Sequence, residues 1–291
     1  MKLGLFAINY GSCAEPRTAV RVAQHAEAAG FESLWSAEHL VLPDPSPEGF
    51  SLAPTLPLLD TVVGLTVVAA HTTTVKIASG IIVLPLRNPV VLAKELASLD
   101  QVAQGRLIVG VGVGYVRAEF AAVGVAMSER AARTDDYIGA MRALWSMPQP
   151  AYRGPYVSFS GINTHPRPLQ QPGPPIVVAA GGRVADRRAV TLANGWYGFG
   201  LDPDQTRTHI QNLQAAAREY QRPAPLGQLE ITVTPAGPVN RDIVAQYAAL
   251  GVDRLVLLPQ PTTDYTTRHQ PVPVDRILRT IDDAAANYRD I

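Results

Sequence analysis

Short apolar runs alternate along the chain with longer segments whose apolar residues recur at helical spacing. The runs are KLGLFAI, SLWSA, VKIASGIIVL, RLIVGVGVG, PIVVAAG, WYGFG, LEITVTP and RLVLLP. Unbroken apolarity of this kind suits strands buried on both faces, as in a parallel sheet covered by helices. The first helical segment, RTAVRVAQHAEAAG, puts Ala19, Val22, Ala23 and Ala26 on one face and stops at Gly30. Further helices are expected to begin near Leu58, Pro89, Arg130, Val184, Gln205, Arg241 and Val274, with Asn88-Pro89 and Asp204 as start signals.

Eight strand–helix pairs in 291 residues place the chain in the α/β class, as a single closed (β/α)8 TIM barrel in preference to an open doubly wound sheet. No linker or break in composition divides it, so residues 1–291 read as one domain. Long connections follow the second, fourth and eighth strands, at 41–57, 115–129 and 259–273. In a barrel these gather at the C-terminal face, where active sites are built. A fourth insertion, 147–174, precedes the fifth strand, and its AYRGPYVSFSG reads as an appended hairpin.

Composition narrows the functional classes. Lys and Arg together number 25, as do Asp and Glu, and no basic run is present, which argues against a nucleic-acid partner. Cys13 is the only cysteine, so neither an internal disulfide nor a cysteine-based metal site is expected. The N-terminal apolar run is too short for a signal peptide, and no segment has the length of a membrane span. The expectation is a soluble cytoplasmic protein with a small-molecule substrate.

Candidate chemistry lies at strand ends. WSAEHL puts Glu38 and His39 at the barrel mouth, where one side chain faces the cavity and the other supports it. The histidine suits proton transfer near neutral pH, or merely caps a turn. Gly80 interrupts an apolar run, which marks a bulge, a close ligand approach or simple packing. GVGVGY, with Gly110, Gly112 and Gly114, resembles a dinucleotide loop but has Tyr115 where the third glycine of G-x-G-x-x-G belongs. Inward glycines would instead leave room for a flat ligand, or fill a narrow barrel centre in the case of Gly110. Gly181 and Gly182 precede a helix whose first amides suit a phosphate, with Arg183 adding charge. Arg187 and Arg188 read as a solvated helix face. His25, His71, His165 and His209 read as structural, and no metal-binding or G-x-S-x-G motif is present.

In combination and order, GFESLWSAEHLVLP, IASGIIVLPLRNPVVLAKELASLDQVAQGRLIVGVGVG and PPIVVAAGG…AVTLANGW resemble the luciferase-like flavin and deazaflavin oxidoreductases, most of all the branch using coenzyme F420. The resemblance spans nearly the whole chain. It implies a non-prolyl cis peptide at Gly80-Ile81 backing the cofactor ring, with Val83 just beyond. It also implies ring contacts from Gly112, Val113 and Gly114, and a phosphate-bearing tail near Gly181, Gly182, Arg183, Val184 and Ala185. Arg117 offers the tail a further contact. His39 corresponds to the proton-handling residue, with Glu38 as its acidic neighbour. F420 is the expected cofactor and hydride transfer to or from a small organic substrate the expected reaction. FMN, with a monooxygenase fed by a partner reductase, is the alternative, and a non-catalytic cofactor-binding relative a third. The family's habit favours a homodimer. The chain departs from F420-dependent glucose-6-phosphate dehydrogenases, which carry Asp before the histidine, Glu where Tyr115 stands, and lysines for the sugar phosphate. Phe6, Asn9, Trp196 and the loop from Tyr265 to His269 are the expected walls of an apolar substrate pocket.

Overall fold

Each apolar run forms a strand at the expected place. A computed structural model describes residues 1–47, 50, 52–179, 181–259, 271–288 and 291. The strands are β1 (Lys2–Phe6), β2 (Ser33–Ser36), β3 (Lys76–Ser79), β4 (Ile82–Val83), β5 (Leu107–Gly112), β6 (Tyr152–Arg153), β7 (Ser158–Phe159), β8 (Ile176–Ala179), β9 (Gly195–Leu201), β10 (Glu230–Pro235) and β11 (Arg254–Leu257). Parallel pairing runs β1-β2-β3-β5-β8-β9-β10-β11 and returns to β1, so the barrel closes. β4 is a short continuation of β3 that pairs with the outer end of β5, and β6 and β7 are the antiparallel hairpin of the 147–174 insertion.

The helices are α1 (Pro16–Ala28), α2 (Thr61–Ala70), α3 (Pro89–Val102), α4 (Arg117–Ala122), α5 (Arg130–Ser146), α6 (Arg183–Leu192), α7 (Pro203–Tyr220), α8 (Arg241–Ala249) and α9 (Val274–Tyr288). Short polar side chains fix most starts by accepting from first-turn amides, as Asp60 does for α2 and Asn88 for α3. The cap of α7 is Asp202, not Asp204. Asp202 accepts from the Gln205 amide at 2.8 Å while Gln205 Oε1 accepts from the Asp202 amide at 3.0 Å, and Asp204 pairs instead with Arg207. The 115–129 connection is not bare loop, since it contains α4. Residues 260–270, including Tyr265 to His269, lie outside the described residues.

Strand alternation divides the core. Leu5, Leu34, Ile77, Val109, Val178 and Leu255 face the helices, whereas Phe6, Trp35, Ala78, Ile108, Val177 and Val256 fill the barrel. Arg188 corrects the expectation of a solvated face. It is only 1% exposed, and it donates to Asp135 and to the Ala131 carbonyl.

The barrel floor is closed by charge. Arg254 is fully buried and donates to both Glu32 oxygens, at 2.7 and 2.9 Å, to Glu230, and to Thr232 Oγ1 at 3.0 Å. Its guanidinium also lies 5.6 Å from the Trp35 ring centre. Burial works to raise the Glu32 carboxyl, but Arg254 and Lys76 outweigh it and hold it down at about 2. A carboxyl depressed from 4.5 to about 2 stabilises the fold fully above its unfolded value and loses that contribution as pH falls through about 2. Urea titrations should therefore show stability declining between these limits. Arg254→Leu should cost about 1–3 kcal/mol at neutral pH, because Glu32 and Glu230 are left with Lys76 and Lys2 as their only cationic partners among the described residues, and it should flatten part of the acid decline. An unchanged acid limb in that variant would separate Glu32 from the effect.

Candidate active site

At the C-terminal face, the end of β3 is pressed into β5, and the glycines of β5 make this possible. The Gly80–Ile81 peptide is cis, as the resemblance implied, and the chain turns there into β4. Beyond Ile108, the inward positions at the outer end of β5 and just past it are glycines. A Cβ on Gly110 would lie 2.0 Å from the Ser79 carbonyl oxygen, one on Gly112 1.9 Å from Ile81 Cδ1, and one on Gly114 2.4 Å from Val83 Cγ1. Ser79 Oγ secures the contact, donating to the Gly110 carbonyl at 2.9 Å and accepting from its amide at 2.8 Å. The glycines thus seat the β3–β4 bulge and do not themselves open space for a ligand. The ligand space lies beyond the bulge.

That space is a cavity of about 460 Å³. Gly80, Ile81, Val83, Gly112, Val113 and Gly114 all line it, and so does Gly181. Phe6 and Trp196 line it as expected. Asn9 does not. It is fully buried, and its side chain clasps the loop after β2 by donating to the Ala37 and Leu59 carbonyls and accepting from the Ala37 amide, all at 2.8 Å.

Glu38 and His39 both reach the cavity with different attachments. Glu38 is buried, accepts from the Val83 amide at 2.5 Å, and pairs with Arg87, which also holds Asp60, the cap of α2. Burial presses the Glu38 carboxyl above the usual carboxylate range, opposed by the Arg87 guanidinium and the Val83 amide. These contacts occupy Glu38 and tie β2, the bulge and α2 together. His39 Nδ1 lies 3.1 Å from Glu119 Oε2, and Glu119 Oε1 accepts from the Leu40 amide at 2.7 Å. Glu119 is 1% exposed on α4 and was not anticipated from sequence. Its only signal is an acid directly before buried Phe120, and a helix of 6 residues is too short to display a period. Phe50 and Tyr115 flank the His39 ring edge-on, each 6.1 Å away between ring centres.

The tail side differs from expectation at several residues, and of Gly181 and Gly182 only Gly181 lines the cavity. Arg183 is turned outward, its side chain 79% exposed and paired with Glu219 at 2.7 Å. Val184 is exposed, Ala185 is buried beneath α6, and neither lines the cavity. Arg117, exposed at the start of α4, does not line it either. His209, expected to be structural only, lines the cavity, stacks on Trp196 with centres 5.3 Å apart, and occupies the space a Cβ on Gly181 would need. Gly182 caps α6 at φ 100° with open space around it. No side chain caps α6, unlike α1, α2, α3, α7 and α8, so its first amides are open to an acceptor. The other histidines bind within the scaffold, His25 to Asp282 at 2.6 Å and His71 to the Val67 carbonyl at 2.8 Å. Among the described residues no cluster suits a metal ion, and no helix is long and apolar enough to cross a membrane.

The sequence profile described as luciferase-like monooxygenase matches residues 1–249. The chain belongs to this family. An uncharacterized Mycobacterium tuberculosis protein is 30% identical to it over 258 residues, covering 85% of this chain and 89% of that protein. Among solved structures, monooxygenase RslO1 from Streptomyces bottropensis superimposes on this luciferase-like chain with TM-score 0.76 at 20% identity, covering 100% of this chain and 99% of that one. An F420-dependent secondary alcohol dehydrogenase, solved with an F420-acetone adduct, gives the same TM-score at 17% identity and covers 99% and 98%. At these identities the structures establish the shared barrel, and the barrel serves both chemistries.

The contact of β5 with the bulge is testable by coupling. Gly112→Ala should destabilise the protein by about 1–3 kcal/mol through overpacking, with most of the loss recovered in Gly112→Ala/Ile81→Val, which removes the clashing Cδ1 atom. Gly110→Ala meets backbone and should not be rescued by Ile81→Val. Additive costs in the first double variant, measured by denaturant melts, would refute this packing.

Proposed function

We propose that the chain is an F420-dependent oxidoreductase that moves a hydride between the deazaflavin and a small organic substrate. The observation that carries this reading is the His39–Glu119 pair, set in an apolar cavity whose other wall is the bulge backed by glycines. The site's residues fit the cofactor. The bulge from Gly80 to Val83 would carry the flat ring. The open amides at the start of α6, with Gly182 leaving room, would hold an anionic tail without the Arg183 side chain. When bound, the deazaflavin supplies the hydride donor or acceptor at its C5.

What this chain's own residues add is proton handling and position. Glu119 accepts from Nδ1–H of His39, which fixes the tautomer and leaves Nε2 to take or give the substrate's proton. Glu38 is assigned a positioning part, because its oxygens already serve Arg87 and the Val83 amide. A second reading, an FMN-dependent monooxygenase supplied with reduced flavin by a partner reductase, has support from the family match and from the monooxygenase neighbour.

Side-by-side fluorescence titrations should give low-micromolar or tighter binding of F420 and weak binding of FMN, with turnover that persists without oxygen. Tight FMN binding without F420 affinity, or turnover that stops under argon, would favour the monooxygenase instead.

His39→Ala should lower kcat by about two orders of magnitude or more, the range of general acid–base catalysis. Glu119→Gln should fall between wild type and His39→Ala. The Kd for F420 should change far less in both. Unchanged turnover in His39→Ala would make the histidine structural.

A further inference from the structure

A second carboxylate and histidine meet on the tail side of the cavity, and the chemistry of His39 makes no use of them. Asp186, in the first turn of α6, is 4% exposed, and its Oδ1 is sealed from solvent with no hydrogen-bond partner. His209, on α7, lines the cavity, yet its Nδ1 is also sealed and unpartnered. Burial presses the Asp186 carboxyl above the usual carboxylate range, and neighbouring His209 opposes that rise. The imidazole is fixed in place, packed on the bare Cα of Gly181 and stacked on buried Trp196.

A buried donor or acceptor left unmade costs about 1–3 kcal/mol. Nδ1–H and Oδ1 each supply what the other lacks, after a small rotation or through one bridging water. Once they are joined, the proton count decides what Nε2, the nitrogen that is not sealed, offers the cavity. With one proton on the couple, ionised Asp186 keeps it on Nδ1 and Nε2 is an acceptor. With a second proton, Nε2–H is a donor, whether the couple is carboxylate and imidazolium or carboxylic acid and imidazole.

The surroundings leave this couple free to act. Arg183 of α6 pairs with Glu219 of α7, and on α7 Asp204 pairs with Arg207 while Asp202 accepts from the Gln205 amide. β9 brings uncharged Trp196. α8, also packed on α7, brings exposed Asp242, Arg241, which donates to the Asn287 carbonyl, and Tyr247, which donates to the Leu201 carbonyl. The first amides of α6 have no side-chain cap, and Gly182 leaves open space beside them.

We propose that Asp186 and His209 grip the cofactor's tail: His209 Nε2–H donates to a phosphate oxygen beside the open amides of α6, and the couple takes up a proton from solvent as the phosphate binds. The phosphate-bearing chain comes from the cofactor reading above, on which this assignment rests. The imidazole seated on Gly181 thus does the work expected of Arg183. By linkage, affinity for the phosphate falls as pH rises and the couple gives up its second proton.

The test is calorimetric titration of F420, of FMN and of their ribosides lacking the phosphate, in buffers of different ionisation enthalpy, at about pH 6 and about pH 8. F420 should bind with uptake of up to about one proton at the higher pH and less at the lower. His209→Leu should weaken F420 binding about tenfold or more, the value of a charge-assisted hydrogen bond, and leave the riboside within about twofold. His209→Gln keeps a donor that does not titrate, so it should retain most of the affinity and lose the uptake. Asp186→Leu frees the ring to carry its proton on Nε2, so the uptake should fall there too. Equal weakening of F420 and its riboside in His209→Leu, or F420-linked uptake that persists in His209→Gln, would overturn the assignment. If FMN binds in place of F420 and His209→Leu weakens it but not its riboside, the cofactor reading falls and this one stands. If neither binds, both fall.

Discussion

Everything at the mouth of this barrel depends on the absence of side chains at Gly110, Gly112 and Gly114, where β5 runs out of the barrel. Atoms of Ser79, Ile81 and Val83 lie 1.9–2.4 Å from where Cβ atoms on Gly110, Gly112 and Gly114 would stand. Because interiors pack at crystal-like density, the Ser79 carbonyl and the Ile81 and Val83 side chains can come this close only where the facing positions are bare. Once β3 is pressed into β5, the segment from Gly80 to Val83 becomes a wall of the cavity, and β4 resumes pairing with β5 beyond it. The glycine run that looks like a nucleotide loop is therefore a socket for another part of the protein.

Two buried carboxylates then set the remaining geometry. Glu38 gathers the Val83 amide and Arg87, and through Arg87 it reaches Asp60 at the head of α2. One ionic junction thus fixes the strand end, the bulge and a helix start. Removing Arg87 would leave the Glu38 carboxyl buried without its cation, whereas Arg87 keeps Asp60 if Glu38 is lost. Glu119 performs the matching task on the other side, anchoring the Leu40 amide and the His39 ring from α4. The adjacent residues Glu38 and His39 therefore serve separate networks, as alternation along an extended segment allows.

Much of this was legible in the sequence, for physical reasons. Strands of a parallel barrel are buried on both faces, so they read as continuous apolar runs, and every one was found in place. The insertions after β2 and β5 and the hairpin before β8 were legible because barrel connections are otherwise short. The cis bond at Gly80-Ile81 was reached through family resemblance, not periodicity. What stayed hidden depends on long-range contact. Glu119 and Arg188 carry charges that usually mark solvent, and only their distant partners reveal them as buried. His209 looked like one polar residue on a surface helix until Gly181, 28 residues earlier in the chain, proved to have made room for its ring. Asp202 and Asp204 are both plausible caps by composition, and only the reciprocal bond with Gln205 separates them.

The central claim is that the bulge seated on β5 is the surface on which a cofactor ring lies, opposite His39. A crystal structure of the protein soaked with F420 tests it most directly. The account predicts density for a flat ring along Gly80 to Val83, His39 on the substrate side, and an anionic tail at the open amides of α6. A ring bound elsewhere, or a tail held away from Gly181 and Gly182, would contradict it.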